Sequence, residues 1–347
     1  MDKSYYKNKI DEFLADYCKN HYFSGTLKIT IRDETIYQKS FGYADFENKI
    51  PFNDHSLFTF YSLSKPFCTL GLFKLVDKGL VDINSHPSKY LPQASSFDKD
   101  LKIHHLLRHV SGLPDFEQTI EFKNKYAPAR TCDLRKHVEL ISNYPMRFSP
   151  GQSSMYANVN FIFCALIIEN VSGEKYSDYM KKEVFLPLEM KTAYVDDRDI
   201  VAKNKVKGYS VDKTGNFTPV EKSYNWLLGA GDIVGTVNDV YCLNKAIKNK
   251  LLISQKSWKE ILTPSPLNDM GMGCSVFTWH NKFRISHNGG HVGFRTLHIQ
   301  LPNDDFDLIL LSNCDADSRT AISEGIHDIF YSKDDKISNF EMDKGYI

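Results

Sequence analysis

Alternating apolar and polar positions near both ends of the chain predict β-strands. After an amphipathic segment at residues 4–20, which predicts a helix, strands are predicted at Gly25–Ile31 and Thr35–Tyr43, with a turn at Arg32–Glu34 between them. Short strand-like runs return after Gly271. They predict strands at Arg284–His287, Phe294–Leu301 and Asp307–Leu311, and a final helix at Arg319–Tyr331. We therefore expect the two ends of the chain to share a sheet.

The middle of the chain has helical spacing instead. Apolar residues recur every three positions from Phe67 to Val76, after Pro66 and before Gly79, which is typical of a mostly buried helix that begins near Ser62. Further helices are predicted near Ile103–His109, Cys132–Ser142 and Asn158–Val171.

This order of elements predicts an α/β protein of two domains. Residues 1–60 and 203–347 are expected to form a sheet domain flanked by helices, and residues 61–202 an inserted, mainly helical domain. A cleft between two such parts is a common place for a functional site, so we expect the active site there.

Composition narrows the classes of function. The 347 residues are 42% hydrophobic, enough for a large core, and 43 basic residues balance 43 acidic ones, so a nucleic-acid partner is not expected. The chain begins without an apolar signal core, and no long apolar run predicts a membrane partner. Seven scattered cysteines indicate reduced thiols and a cytoplasmic protein, with a removed leader as the alternative. They are Cys18, Cys68, Cys132, Cys164, Cys242, Cys274 and Cys314.

Ser62 and Lys65 are the strongest candidates for chemistry. One helical turn places the serine hydroxyl and the lysine amine on the same face, and a lysine kept partly uncharged by burial can accept the serine proton during attack on a carbonyl. The same Ser-x-x-Lys spacing occurs at Ser4, Ser96, Ser172 and Ser210, so spacing alone is weak evidence. Only Ser62 opens a buried helix, whose positive end would stabilise developing negative charge.

Two further segments carry candidate groups. Tyr156 can exchange a proton with a nearby lysine as base or acid, and Asn158 can hold the lysine and the substrate, although Tyr156 is alternatively a core residue. In the glycine-dense link at Ile285–Phe294, His287 can bind a carboxylate or carbonyl, while the amides of Ser62 and Gly290 can form an oxyanion hole, each donor contributing roughly 3 kcal/mol. The alternatives there are a His291–Gly293 register or a hairpin with an incidental histidine.

A zinc site is a competing interpretation of His105 and His109, which lie four positions apart on a predicted helix. The glutamate of a His-Glu-x-x-His signature is missing, and nothing in the sequence places a third ligand such as Asp115, His86 or His137 nearby. We therefore expect no metal ion.

Three motifs in order resemble the serine β-lactamase and penicillin-binding-protein superfamily, in its class C-like branch of esterases, D-aminopeptidases and D-alanyl-D-alanine carboxypeptidases. The motifs are Ser62-Leu63-Ser64-Lys65, Tyr156-Ala157-Asn158 and His287-Asn288-Gly289. Other segments similar to that family are Phe23–Leu27, Phe41–Ala44, His105–Pro114, Ser149–Gly151, Gly229–Gly231 and Leu311–Asn313.

The resemblance implies a β-lactamase/transpeptidase-like fold with an antiparallel sheet, and a role for each motif. It makes Ser62 the acylated nucleophile, Lys65 its proton acceptor and Tyr156 the partner base that also activates the deacylating water. Asn158 becomes an orienting group, and His287, Asn288, Gly289 and Gly290 bind the substrate. His287 stands where many β-lactamases have the lysine of Lys-Thr-Gly, and Asn288 replaces a hydroxyl residue. Since a histidine is mostly neutral at pH 7, these departures favour ester or peptide substrates over β-lactams.

The predicted function is therefore a serine hydrolase that cleaves an ester or amide of a small D-amino-acid or peptide-like substrate through an acyl-enzyme on Ser62. No cofactor is expected. The alternatives are a β-lactamase or penicillin-binding D,D-carboxypeptidase, and a non-catalytic binding or sensing module with the same fold. The sequence leaves the oligomeric state open.

Overall fold

A computed structural model describes residues 2–126, 133–196, 202–220 and 226–331, and its strands come largely from the two ends of the chain. The strands are β1 (Gly25–Ile31), β2 (Glu34–Phe41), β3 (Phe58–Thr59), β4 (Tyr194–Val195), β5 (Gly208–Val211), β6 (Phe217–Val220), β7 (Ile233–Gly235), β8 (Ser275–Trp279), β9 (Lys282–His291), β10 (Phe294–Leu301) and β11 (Phe306–Ser312). The main sheet has six antiparallel strands in the order β2-β1-β11-β10-β9-β8. The prediction of an α/β fold with an antiparallel sheet built from both chain ends is confirmed.

Helices cover the sheet and fill the middle of the chain. They are α1 (Lys3–Tyr17), α2 (Lys65–Asp77), α3 (Ile103–Leu107), α4 (Leu134–Ile141), α5 (Val159–Ser172), α6 (Tyr176–Met180), α7 (Val237–Asn249), α8 (Gln255–Leu262) and α9 (Arg319–Tyr331). The α5 segment is buried from Val159 to Ile168. Apart from Asn160 this run is apolar, and a helix that is apolar on every side is stable only when it is surrounded by protein.

The two faces of the main sheet support separate hydrophobic clusters. Leu310 of β11 packs in a cluster with Ile10 of α1 and Ile326 of α9. Its neighbour Ile309 belongs to the larger cluster on the other face, together with Leu243 of α7. Successive side chains of a strand point to opposite faces, so one strand supplies both layers.

One predicted turn is wrong. The glycine-dense stretch was expected to link two strands, but β9 continues through Gly289 and Gly290 to His291, and the hairpin turns at Val292–Gly293, where Gly293 has a φ of 75°. The ladder pairs Gly289 with Thr296 and Gly290 with Arg295. Glycine is needed at 289 for space, because a Cβ there would overlap the Phe60 carbonyl oxygen and Thr296 Oγ1.

The division into two domains stays a prediction. A small sheet in the order β3-β7-β4 takes strands from both sides of the predicted boundaries at residues 60 and 202, so backbone hydrogen bonds join the two parts.

Across the four described ranges, no helix has the length and apolar character needed to span a membrane. Six of the cysteines carry free thiols, and Cys132 lies outside the described residues.

Candidate active site

The site begins where a short 3₁₀ turn leads into helix α2. The turn covers Tyr61–Ser64, and α2 starts at Lys65 with Pro66 in its first turn. Tyr61 has a φ of 49°, a left-handed conformation that is costly for a bulky residue and is found mainly where the surrounding structure enforces it. Ser62 therefore precedes the helix rather than beginning it, and is half-buried beside its N-terminus.

Lys65 is 0% exposed, and its Nζ atom contacts three oxygens. It lies 3.0 Å from Ser62 Oγ, 2.9 Å from Asn158 Oδ1 and 2.8 Å from the carbonyl oxygen of Ala230. The last two oxygens can only accept, so they take two N–H groups of Lys65. The third position faces Ser62 and is an N–H when the lysine is charged or a lone pair when it is neutral.

Burial decides the charge of Lys65. Desolvation lowers the pKa of its amine to about 7, against the opposing effects of Asp115, Glu117, Cys68 and Asp232. Because the ordinary pKa of a lysine is near 10.4, this lowering makes the uncharged amine accessible at neutral pH, next to the serine hydroxyl. Such an amine can accept a proton.

Glu117 is the second titrating group near Lys65. Burial raises the pKa of its carboxyl to about 7, the neighbouring Asp115 raises it further, and hydrogen bonding to the Trp226 indole works in the opposite direction.

Tyr156 lies beside both Ser62 and Lys65. Its hydroxyl hydrogen-bonds with Ser62, its ring stacks on His109 at 4.2 Å, and Lys65 Nζ lies 4.8 Å from its ring centroid. Tyr156 as a residue is 47% exposed, but desolvation raises the pKa of its phenol. The phenol is therefore protonated at neutral pH.

The segment around Tyr156 and Asn158 is held in place by His109 and Asp115, two residues that the zinc interpretation considers as ligands. His109 Nδ1 accepts the backbone N–H of Ala157 at 3.2 Å, and Asp115 accepts the N–H groups of Asn158 and Val159 at 2.9 and 3.3 Å. His105 instead accepts the N–H of Lys102. In the described part of the chain, no three His, Cys, Asp or Glu side chains are grouped so as to hold a metal ion.

Strand β9 forms the other wall of the site. Its neighbour β8 pairs only as far as Ser286, so from His287 to His291 no described strand pairs with β9 on that side. A Cβ on Gly289 would meet Phe60 O and Leu63 N, which shows how closely this strand approaches the Ser62 turn. Thr296 Oγ1 on β10 donates to the same Phe60 carbonyl at 2.8 Å and ties the sheet to the turn.

His287 is a neutral residue in this setting. It is 4% exposed, and its Nδ1 lies 2.6 Å from the carbonyl oxygen of Asn288, which can only accept, so the ring proton is on Nδ1. Its buried Nε2 has no hydrogen-bond partner among the described residues. Burial, helped by the charge of Lys65, lowers the pKa of His287 to about 3. Nε2 thus presents a lone pair.

The structure brings Ser62, Lys65, Tyr156 and Asn158 together, and places His287 and Gly289 beside them. Asn288 is exposed on the opposite face of β9, paired with Leu297. Gly290 lies on the strand edge with an exposed backbone. The roles of all eight residues, including the oxyanion amides of Ser62 and Gly290, stay predictions.

Sequence reasoning missed two members of the site. The Ala230 carbonyl carries no side-chain signal, although Gly229–Gly231 was recognised as a family segment. Asp115 was considered only as a metal ligand, and its position directly after Gly112-Leu113-Pro114 was the available clue.

Comparisons with known proteins point to one family. The family model described as Beta-lactamase matches residues 7–329. Penicillin-binding protein 4* of Bacillus subtilis (strain 168) is 30% identical over 320 residues, which is 86% of this chain and 70% of that protein.

Solved structures have the same fold. The octameric penicillin-binding protein homologue from Pyrococcus abyssi superposes with a TM-score of 0.82 at 21% identity, covering 95% of this chain and 77% of that one. The D-amino acid amidase from Ochrobactrum anthropi SV3, complexed with D-phenylalanine, gives a TM-score of 0.77 at 24% identity and covers 95% and 98%.

Proposed function

The chain belongs to the beta-lactamase family of serine hydrolases, and on this basis we propose that it hydrolyses small esters or amides through an acyl-enzyme formed on Ser62. The observation that carries the proposal is the Lys65 amine. It is buried, it has a pKa of about 7, and Asn158 and Ala230 orient it so that its remaining position faces the Ser62 hydroxyl 3.0 Å away.

In the acylation step, the Ser62 oxygen attacks the substrate carbonyl carbon while its proton passes to the neutral Lys65 amine. A bond forms between Ser62 Oγ and that carbon, and the carbonyl electrons move onto its oxygen. The amides of Ser62 and Gly290 are proposed to stabilise this oxyanion. The intermediate then collapses, and the bond between the carbon and the leaving group breaks.

Tyr156 is proposed to protonate the leaving group. A phenol with a raised pKa holds its proton at neutral pH, and it lies next to both Ser62 and Lys65, so it can donate to the departing oxygen or nitrogen. The resulting tyrosinate beside the Lys65 ammonium can then take a proton from water. This water attacks the acyl carbon, the bond between that carbon and Ser62 Oγ breaks, and the Lys65 ammonium returns its proton to the Ser62 oxygen, which regenerates the enzyme.

The electrostatics of the site favour substrates without a carboxylate. His287 is neutral, so it supplies no positive charge to bind a carboxylate, and the groups around Lys65 include Asp115, Glu117 and Asp232. Arg295 and Arg319 lie beside Gly290 on the other face of β9, where Arg319 pairs with Asp317. The D-amino acid amidase of the same fold is named for amide cleavage, which agrees with a neutral D-amino-acid or peptide-like substrate.

The test is the intact mass of the protein after exposure to a fluorophosphonate. We expect a single covalent adduct that disappears in Ser62→Ala. Ser96→Ala is the matched control, because Ser96 has the same spacing to Lys99 but is exposed away from any buried helix. An adduct that still forms in Ser62→Ala would refute the assignment of Ser62 as the nucleophile.

Penicillin binding is the second candidate, since the Bacillus relative is named a penicillin-binding protein. Exposure to benzylpenicillin separates the candidates. A persistent adduct would indicate a penicillin-binding protein, and rapid recovery with hydrolysed drug would indicate a β-lactamase. An esterase or amidase would give little adduct with penicillin and turnover with neutral substrates, whereas fluorophosphonate labelling without any turnover would indicate a binding or sensing module.

A further inference from the structure

Helix α5 begins in an unusual way. Asn158 occupies its N-cap position, where an asparagine side chain normally accepts a hydrogen bond from the backbone of its own helix. Here the side chain makes no capping bond, because Asn158 Oδ1 accepts from Lys65 Nζ instead. The first N–H groups of a helix have no partner within it, so another group must satisfy them.

Asp115 satisfies them from 43 residues earlier in the chain. Its Oδ2 accepts the N–H of Asn158 at 2.9 Å, and its Oδ1 accepts the N–H of Val159 at 3.3 Å. The side chain is 7% exposed, so water does not compete strongly for these bonds. A carboxylate here also complements the positive end of the α5 dipole.

We propose that Asp115 is a positioning residue of the active site, one that caps α5 in place of Asn158 and so leaves the Asn158 amide free to orient Lys65. The chain of contacts is continuous: the Asp115 carboxylate holds the Asn158 backbone, and Asn158 Oδ1 holds Lys65 Nζ, which lies against Ser62 Oγ. This inference rests on the proposed function, because it assigns a purpose to the position of Lys65.

Without Asp115, the Asn158 side chain has two competing uses. Its Oδ1 can turn back to cap α5, as asparagine does at other helix starts, or it can stay on Lys65 and leave two backbone N–H groups unsatisfied. Either outcome is expected to lower the acylation rate, since a displacement of about 1 Å at a catalytic group can lower a rate about 100-fold.

The test is a double-mutant cycle on the rate constant for fluorophosphonate acylation of Ser62. The variants are Asp115→Asn, Asn158→Ala and the double variant, all measured at pH 9, where the Lys65 amine is largely deprotonated and the charges of Asp115 and Glu117 matter least. Asp133→Asn is the matched control, because Asp133 caps α4 through the N–H groups of Arg135 and Lys136 but is exposed at its helix start.

We expect Asp115→Asn and Asn158→Ala each to lower the rate constant about 10- to 100-fold, and the double variant to be no slower than Asn158→Ala by more than about 2-fold. Asp133→Asn should leave it unchanged. The inference would be overturned if the fold-loss in rate constant of the double variant equalled the product of the two single fold-losses. A wild-type rate constant in Asp115→Asn would overturn it as well. If Asp115→Asn does not fold, Asp115→Ser, whose hydroxyl still accepts one N–H, takes its place in the cycle.

Failure of the proposed function gives a different result. A wild-type protein that is not labelled at Ser62 would overturn both proposals, whereas normal wild-type labelling with multiplying losses would overturn the role of Asp115 alone.

Discussion

Lys65 Nζ lies 3.0 Å from Ser62 Oγ in a position where the amine is 0% exposed to solvent. An isolated ammonium would be strongly disfavoured there, but two fixed acceptors, Asn158 and Ala230, satisfy two of its protons. The arrangement keeps the amine in place while burial weakens its hold on the third proton. A buried lysine of this kind is suited to proton transfer rather than to an ion pair.

Replacing the amine tests this directly. Lys65→Met keeps the length of the side chain and removes the base, so we expect kcat/KM for a neutral ester to fall about 100- to 10,000-fold. Two buried acceptors lose their partner, and unfolding free energy should decrease by about 1 to 3 kcal/mol. Kinetics and thermal unfolding measure the two effects. Activity within about 3-fold of wild type would contradict the assignment of Lys65 as the base.

The pH dependence of acylation should reveal the same group. Because Lys65 must be neutral to accept a proton, the rate should rise with pH through an apparent pKa of about 7. Glu117 titrates in the same range and its negative charge raises the pKa of Lys65, so the two form a coupled pair. Glu117→Gln removes that charge, so the rise of the acylation rate with pH should move to lower pH. Glu121→Gln, on the same segment, is the control. A rise at the wild-type pH in Glu117→Gln would contradict the coupling.

His287 is expected to control the charge of accepted substrates. In His287→Lys the neutral acceptor becomes an amine, so acylation by benzylpenicillin should increase at least about 10-fold relative to acylation by an uncharged ester. His287→Gln keeps a neutral group at the position and should leave this ratio near the wild-type value. The ratio of the two acylation rates is the measurement, and an equal ratio in both variants would rule out His287 as the determinant.

Gly289 should tolerate no side chain. A Cβ would overlap Phe60 O and Thr296 Oγ1, so Gly289→Ala must push β9 away from the Ser62 turn. We expect a loss of about 1 to 3 kcal/mol in unfolding free energy and at least about a 100-fold loss of kcat/KM. Denaturant unfolding of Gly290→Ala provides the comparison for stability, because its Cβ would come no closer than 3.3 Å to Arg295 Cδ. Equal stability of the two variants would refute the steric argument.

Asp307 should make stability depend on pH. Burial raises the pKa of its carboxyl to about 6, even though Thr30 and Gln300 donate to it. The folded state therefore binds this proton more tightly than the unfolded state does, and its contribution to stability is present below about pH 4 and is lost as the pH rises through 6. Asp307→Asn should be more stable than wild type by on the order of 2 kcal/mol at pH 7.5, with little difference at pH 4. Chemical unfolding at the two pH values checks this, and a gain of equal size at both would contradict it.

Local pattern predicted the elements well where neighbours in sequence decide the outcome. The bounds of β1 and α9 agree with the prediction, and the α5 helix was evident from its long apolar run. The prediction failed at β9, where glycines suggested a turn. Two consecutive glycines are compatible either with a turn or with a strand that another part of the backbone approaches closely. Only the position of Phe60 shows that the second case applies here.

By itself the sequence determined the family resemblance and the order of the Ser62, Tyr156 and His287 motifs, because each motif is a short run of neighbouring residues, and the antiparallel sheet was implied by that resemblance. The tertiary structure alone decided what surrounds Lys65. Its partners Asn158 and Ala230 lie 93 and 165 residues away, and Asp115 reaches α5 across 43 residues. Periodicity carries no information on such contacts, since they depend on how the packed helices and the sheet meet. Burial of the amine, which sets its pKa, follows from the same packing.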